Sequence, residues 1–211
     1  MKMKKASPFI LSIVVVTLSW FTMIVKNPPE ALSYPPAVGI LGKVKNCVSC
    51  HANNGPWTDE GKTIVDIIDK ASRKSLKQPD GSFLISVKRN QLTTFLTVIG
   101  RSKDDKQTPP YRNAWLYIDP KTINNSSLSK FAAGWDVNLP LSCRVVGDTF
   151  SAYAGAKITV LPMSIRPTDA ASDAELTLQV MLTKGESIKG NPRKGMVGNY
   201  FEKKVVLKVV E

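Results

Sequence analysis

The stretch ELTLQVMLT, residues 175–183, decides the fold class of the chain. Its apolar residues recur at every second position: Leu176, Leu178, Val180 and Leu182. A period of two is typical of a β-strand with one face in a core, whereas a helical face repeats every ~3.6 residues. Met181 falls on the opposite face of this predicted strand.

Comparable stretches lie on both sides of residues 175–183. The other predicted strands are those around Phe83, Ile85 and Val87, then Leu92–Ile99, Ala114–Ile118, Ser142–Val146, Ala156–Ile165 and Tyr200–Val210. The short break between the strands at 83–87 and 92–99 predicts a hairpin. Seven short strands separated by turn residues favour an antiparallel β-sandwich. Residues 81–211 are therefore predicted to be an antiparallel β-rich domain.

A helical pattern precedes this domain. The apolar residues Ile64, Val65, Ile67, Ile68 and Ala71 share one face at helical spacing, and Thr58 is suited to cap the first turn. The turn at Pro79 ends the pattern. The predicted fold is thus mainly β and antiparallel β-sandwich-like, with a small α-helical segment within residues 34–80.

The N-terminus carries a targeting pattern. Lys2, Lys4 and Lys5 precede Phe9–Val25, a run of 17 residues without a charge. A run of this length fits a membrane anchor and, at the upper limit, a secretory signal. Residues 1–33 are therefore a signal peptide or a membrane anchor, and both remain open. The remainder is expected to be periplasmic, secreted or anchored to the membrane by the N-terminal helix.

The charge balance limits the classes of partner that the protein is expected to bind. Lys and Arg number 29 and Asp and Glu 17, which gives +12. Cleavage after Ser33 would remove four lysines and Glu30, leaving 25 basic and 16 acidic residues, or +9. An exported basic chain is not expected to bind nucleic acid. An acidic protein partner or an anionic lipid surface suits this charge better.

One motif carries chemistry, and it uses the only histidine of the chain. Cys47-Val48-Ser49-Cys50-His51 has the pattern C-x-x-C-H, in which two thiols can add to the haem vinyl groups and the histidine can bind the iron. With these residues the chain resembles the monohaem c-type cytochromes. The resemblance implies one covalent haem c, attached at Cys47 and Cys50, with His51 as axial ligand. Residues 34–80 are therefore predicted to be the haem c-binding segment. Trp57, shortly after the motif, is expected to contact the haem.

The chain departs from a typical small cytochrome c of class I, which supplies a distal methionine from a helical domain. Residues 52–140 contain no histidine, methionine or cysteine. A soft distal ligand must therefore come from the β-rich half, where the candidates are Cys143, Met163, Met181 and Met196. Met163 is the nominal choice. Lysine ligation or an open sixth site also remains possible.

These observations predict an electron-transfer protein rather than an enzyme. The haem would exchange electrons with an acidic redox protein or within a membrane oxidoreductase complex, either alone or as its haem subunit. Two alternatives remain: a structural or assembly subunit built on the β-sandwich, and a haem enzyme or gas sensor with an open sixth site. A single histidine excludes sites that need two, such as HExxH zinc hydrolases.

Overall fold

The structure is a computed structural model, and it describes residues 52–53, 60–106, 112–122, 131–183 and 197–211. The chain divides into two units, Met1–Ser33 and Tyr34–Glu211, and every described residue belongs to the second. The predicted signal or anchor lies outside the described residues. Within them, no helix is long and apolar enough to cross a bilayer.

The described residues form β-strands joined by turns and three short 3-10 segments. The strands are β1 (Ala52–Asn53), β2 (Thr63–Asp69), β3 (Phe83–Lys88), β4 (Thr93–Arg101), β5 (Arg112–Ile118), β6 (Trp135–Val137), β7 (Leu141–Val145), β8 (Lys157–Pro167), β9 (Ala174–Thr183) and β10 (Val197–Val210). The 3-10 segments are Glu60–Lys62, Pro120–Thr122 and Ser151–Tyr153.

The strands form two sheets. Sheet A has the order β1-β10-β9-β5-β7, and β3 also pairs with β10, on the edge opposite β9. Sheet B has the order β2-β4-β8-β6. The prediction of a mainly β fold is confirmed. The antiparallel prediction holds for most pairs but is wrong for two, because β1 and β3 both run parallel to β10.

The main core lies between the two sheets. It receives the alternating residues of β9 together with apolar side chains from both sheets, among them Ile67, Phe95, Trp115 and Val205. A second cluster covers the outer face of sheet B, where Ile68 and Val98 pack with Phe150 from the segment after β7. The two sheets and their shared core make the described structure a β-sandwich.

The predicted helix around residues 64–71 is wrong. Residues Thr63–Asp69 form strand β2, which pairs antiparallel with β4. Ile67 points into the main core and Ile68 into the second cluster, on the outer face of sheet B, so both faces of β2 are buried. A strand buried on both faces has an apolar run without alternation, and that run imitates helical spacing. The β-rich structure therefore begins before residue 81.

The predicted hairpin between β3 and β4 is also wrong, because the two strands lie in different sheets. The backbone N–H of Arg89 donates to the carbonyl of Val210 at the end of β10, in sheet A. The next N–H, that of Asn90, donates to the carbonyl of Pro167 at the end of β8, in sheet B. The chain therefore crosses from one sheet to the other within these residues.

Candidate haem site

The motif itself lies outside the described residues, as does Trp57. The description resumes with Ala52, the residue directly after His51. Ala52 and Asn53 are therefore the described residues that are nearest to the motif in the sequence.

Ala52 and Asn53 form β1, which pairs with the first residues of β10. Ala52 lies beside Val197 and Asn53 beside Gly198. This pairing attaches Ala52 and Asn53 to the edge of sheet A. It joins parts of the chain that are far apart in the sequence, and no local pattern predicts it.

A compact apolar patch, which we call the outer cluster, lies on the outer face of sheet A. Its buried members are Ala114, Leu116, Ile118 and Met181, and its half-buried members are Leu141, Cys143 and Tyr200. All seven belong to strands of sheet A itself. The sequence prediction that Met181 lies on the face opposite Leu176, Leu178, Val180 and Leu182 is confirmed, since those four belong to the main core.

Two sulfur atoms share one straight row across this face. The pairing registers place Tyr200 beside Met181, Met181 beside Ala114, and Ala114 beside Cys143. Neighbouring strands are spaced by ~4.8 Å, so Cys143 on β7 is about 10 Å further from β1 than Met181 on β9. Of the two, Met181 is therefore the sulfur residue nearer to β1.

The Met181 side chain packs directly against Gly198 on β10. A Cβ atom built on Gly198 would lie 2.8 Å from Sδ of Met181 and 2.6 Å from the carbonyl oxygen of Leu182. The Met181 thioether therefore fills the space that a side chain at position 198 would need, and Gly198 is the residue that pairs with Asn53. Glycine is required at this position because the Met181 side chain approaches the backbone so closely.

Cys143 is a free thiol and is half-buried. Burial raises the pKa of Cys143 above its usual range, although the guanidinium of Arg112 lowers it in part by its charge and by a hydrogen bond. The neutral thiol is thus the form that this environment favours at neutral pH.

Met163 lies in a different part of the molecule. It belongs to β8 beside Phe95, is 2% exposed, and packs in the main core between the sheets. Sheet A and its inner side chains separate it from the outer cluster. Met163, the residue first chosen from the sequence, is therefore part of the packed interior, and Met196 lies outside the described residues.

The described residues do not form a cluster that would hold a metal ion. Across the described ranges, no three His, Cys, Asp or Glu side chains come together to hold a metal ion. In the outer cluster the Met181 side chain is fully buried, so it offers no open coordination position to a haem iron. The residues that the motif implies as haem attachment points and ligand, Cys47, Cys50 and His51, lie outside the described residues.

Comparisons with known proteins assign no family to the chain. No protein-family model matches it, and no curated protein matches it. Among solved structures, it is similar to the ASH / PapD-like domain of human CEP192 (PapD-like domain 7), with 12% sequence identity. That alignment covers 74% of this chain and 92% of the other, with a TM-score of 0.33.

Proposed function

We propose that this protein is an exported monohaem c-type cytochrome that transfers electrons to or from a redox partner. The observation that carries the proposal is the motif C-x-x-C-H at residues 47–51, which uses the only histidine of the chain and two of its three cysteines. In this proposal Cys47 and Cys50 hold the haem by thioether bonds, and His51 binds the iron.

The chain's own residues would do two things for the bound group, which supplies an iron that cycles between ferrous and ferric. Thioether bonds from Cys47 and Cys50 would hold the haem covalently, so it would not be lost on dilution. The core of the β-sandwich is closely packed and would make the domain that follows the motif resistant to deformation. A rigid carrier of this kind would favour fast electron transfer over chemistry on a substrate.

The partner and location follow from the N-terminal pattern and the charge. The protein would act on the outer side of the membrane, periplasmic, secreted or anchored. Its net charge of +12 would favour an acidic redox protein or an acidic surface of a membrane oxidoreductase complex.

Covalent attachment is tested by acid–acetone extraction of the full-length protein after expression with a haem-attachment system. We expect the wild-type protein to retain a haem that stains after denaturing electrophoresis. Cys47→Ala combined with Cys50→Ala should abolish the staining. Cys143→Ala is the matched control, since it removes the third cysteine and should leave attachment unchanged. Loss of haem from the wild-type protein on extraction would refute the proposal.

A further inference from the structure

Strand β7 forms an open edge of sheet A. It pairs with β5 on one side, and within the described ranges no strand pairs with its other side. Hydrogen-bonded and non-hydrogen-bonded pairs alternate along antiparallel strands, and the N–H of Tyr117 donates to the carbonyl of Pro140. By this register, every second residue of β7 turns its N–H and C=O groups outward. These residues are Leu141, Cys143 and Val145.

Other edges of the sandwich are covered by the chain itself. On β8, the N–H of Val160 donates to a carboxylate oxygen of Asp148 at 2.7 Å, and Pro162 has no N–H to offer. On the opposite side of the molecule, residues 75–77 form bridges to both β2 and β3. Proteins protect edges in such ways because a row of free N–H and C=O groups pairs readily with another strand. The outward positions of β7, by contrast, hold neither a charge nor a proline.

The edge formed by β7 also exposes apolar side chains. Val145 is 44% exposed, and Leu139, two residues before the strand, is 36% exposed. They are two of the four large apolar residues that the described part of the chain exposes. The one charged residue of β7, Arg144, is held within the chain, with its Nη2 2.9 Å from Oδ1 of Asp148. The edge is therefore uncharged and apolar where it faces outward.

We infer that β7 pairs antiparallel with β7 of a second copy of this chain, so that sheet A continues across a two-fold axis. The axis passes between the two Cys143 residues, and Leu141 lies opposite Val145 of the second copy. This dimer needs no haem and is independent of the proposed function.

The order of residues in β7 supports a second copy as the occupant of the edge. The outward residues are centred on Cys143, so antiparallel pairing about Cys143 leaves no outward group without a partner. It forms three narrow pairs, with two hydrogen bonds in each. Apolar Leu141 opposes apolar Val145, and Ser142 opposes Arg144, so the two arginines do not face each other. The strand is therefore complementary to itself, as a two-fold interface requires.

The size of the contact and the net charge determine the strength of the dimer. Pairing of one five-residue strand is expected to bury less than the ~1,200 Å² at which standard interfaces begin, so the dimer should be weak and reversible. Two chains of +12 repel each other, and added salt screens that repulsion. The dimer should therefore strengthen as salt is added, whereas binding of an acidic redox partner should weaken.

Sedimentation equilibrium of the full-length protein in density-matched detergent measures the self-association. We expect a reversible monomer–dimer equilibrium for the wild-type protein. Val145→Pro removes an outward N–H and no hydrogen bond to a described residue, so it should leave the fold intact, which circular dichroism checks. We expect it to raise the dissociation constant at least ~tenfold, because a narrow pair is lost on each side of the axis. Val145→Thr is the matched control, since it keeps the N–H and a β-branched side chain, and should dimerise like the wild-type protein.

Cross-linking identifies the interface. In the dimer the two Cys143 Cα atoms would lie ~5.5 Å apart, within the ~4.4–6.8 Å that a disulfide spans. In the variant Cys47→Ala with Cys50→Ala, Cys143 is the only cysteine. Dioxygen with copper–phenanthroline as catalyst, which takes up the two electrons and two protons that the thiols lose, should link the two chains of this variant. Adding Val145→Pro should abolish the cross-link, and adding Val145→Thr should not.

Two results would overturn the inference. One is a wild-type protein that stays monomeric at concentrations up to ~1 mM, the limit of weak association, even if the edge then takes up an unrelated extended peptide. The other is a dimer that resists Val145→Pro or forms without the Cys143 cross-link, since its contact would lie on another surface. If Val145→Pro fails to fold, Val145→Lys decides the matter, because it keeps the backbone and places a charge beside Leu141 of the second copy. Neither result bears on covalent haem attachment, so the proposed function stands or falls separately.

Discussion

Tyr117 shows how a single polar atom is accommodated in the core between the sheets. Its side chain is fully buried, and its hydroxyl lies 2.7 Å from Oγ1 of Thr97 on the facing strand β4. Thr97 is itself 1% exposed. The pair therefore links sheet A to sheet B by one hydrogen bond, and each partner depends on the other to avoid a lone buried polar group.

Tyr117→Phe should lower the free energy of unfolding by about 1–3 kcal/mol, because Thr97 loses its partner while buried. Denaturant unfolding followed by circular dichroism measures the change. The double variant Tyr117→Phe with Thr97→Val is the control. Replacing both partners by apolar groups leaves no lone polar atom, so it should be less destabilised than the single variant. Equal or greater loss in the double variant would contradict this explanation.

The same residue predicts a pH dependence. Burial raises the pKa of Tyr117 well above its usual range, because the charged phenolate would lose its water. The unfolded chain releases this proton near pH ~10, whereas the folded chain keeps it. The contribution of Tyr117 to the free energy of unfolding is therefore fully present below about pH 10. Above that pH it falls, at up to ~1.4 kcal/mol per pH unit for this one group.

Tyr117→Phe should show a shallower fall in unfolding free energy between pH 9 and about 11 than the wild-type protein. The pKa of Tyr153 is also raised, by burial and then by its hydrogen bond to Asp66, so both proteins retain that contribution. Parallel pH profiles for the two proteins would show that Tyr117 ionises without cost to the fold.

At the scale of elements, β4 and β8 approach so closely that one position admits only glycine. Gly100 has φ +155°, and a Cβ there would lie 2.1 Å from the carbonyl oxygen of Lys157 on β8. Backbone on the neighbouring strand cannot yield as a flexible side chain can. Gly100→Ala should therefore lower the unfolding free energy by at least about 2 kcal/mol, measured by denaturant unfolding.

Gly147→Ala provides the matched control for this prediction. Gly147 has φ +143°, close to that of Gly100, but nothing lies within 4 Å of a Cβ built there. Both variants share the backbone strain, of order 1–3 kcal/mol, and only Gly100→Ala adds the clash. An equal loss of stability in the two variants would mean that strain alone explains the effect.

The elements also show how far the sequence predicts the fold. Alternation located β3, β9 and β10, because in these strands one face differs from the other in polarity. It failed for β2, which is buried on both faces, with Asp66 enclosed by hydrogen bonds from Ser75 and Tyr153. It also cannot show whether a short turn closes a hairpin or crosses to the other sheet, since that depends on the ends of β8 and β10.

At the scale of the whole molecule, the same limit applies to the candidate site. The motif Cys47 to His51 is visible in the sequence because its residues are adjacent. The pairing of β1 with β10 is not visible, because it joins two segments from opposite ends of the described chain. No local pattern in either segment indicates its partner.

The net charge leads to the last prediction, which concerns the approach of a redox partner. A chain of +12 should attract an anionic oxidant and repel a cationic one. Exposed charges are screened over ~10 Å at 0.1 M ionic strength. For the haem-loaded protein, the rate of oxidation by ferricyanide should therefore fall as salt is added. The rate with tris(phenanthroline)cobalt(III) should rise over the same range, and stopped-flow absorbance measures both.

The two oxidants act on the same protein, so each controls for any effect of salt on the fold. If neither rate responds to ionic strength, the positive charges lie too far from the haem edge to guide a partner, and the proposed acidic partner loses its electrostatic basis.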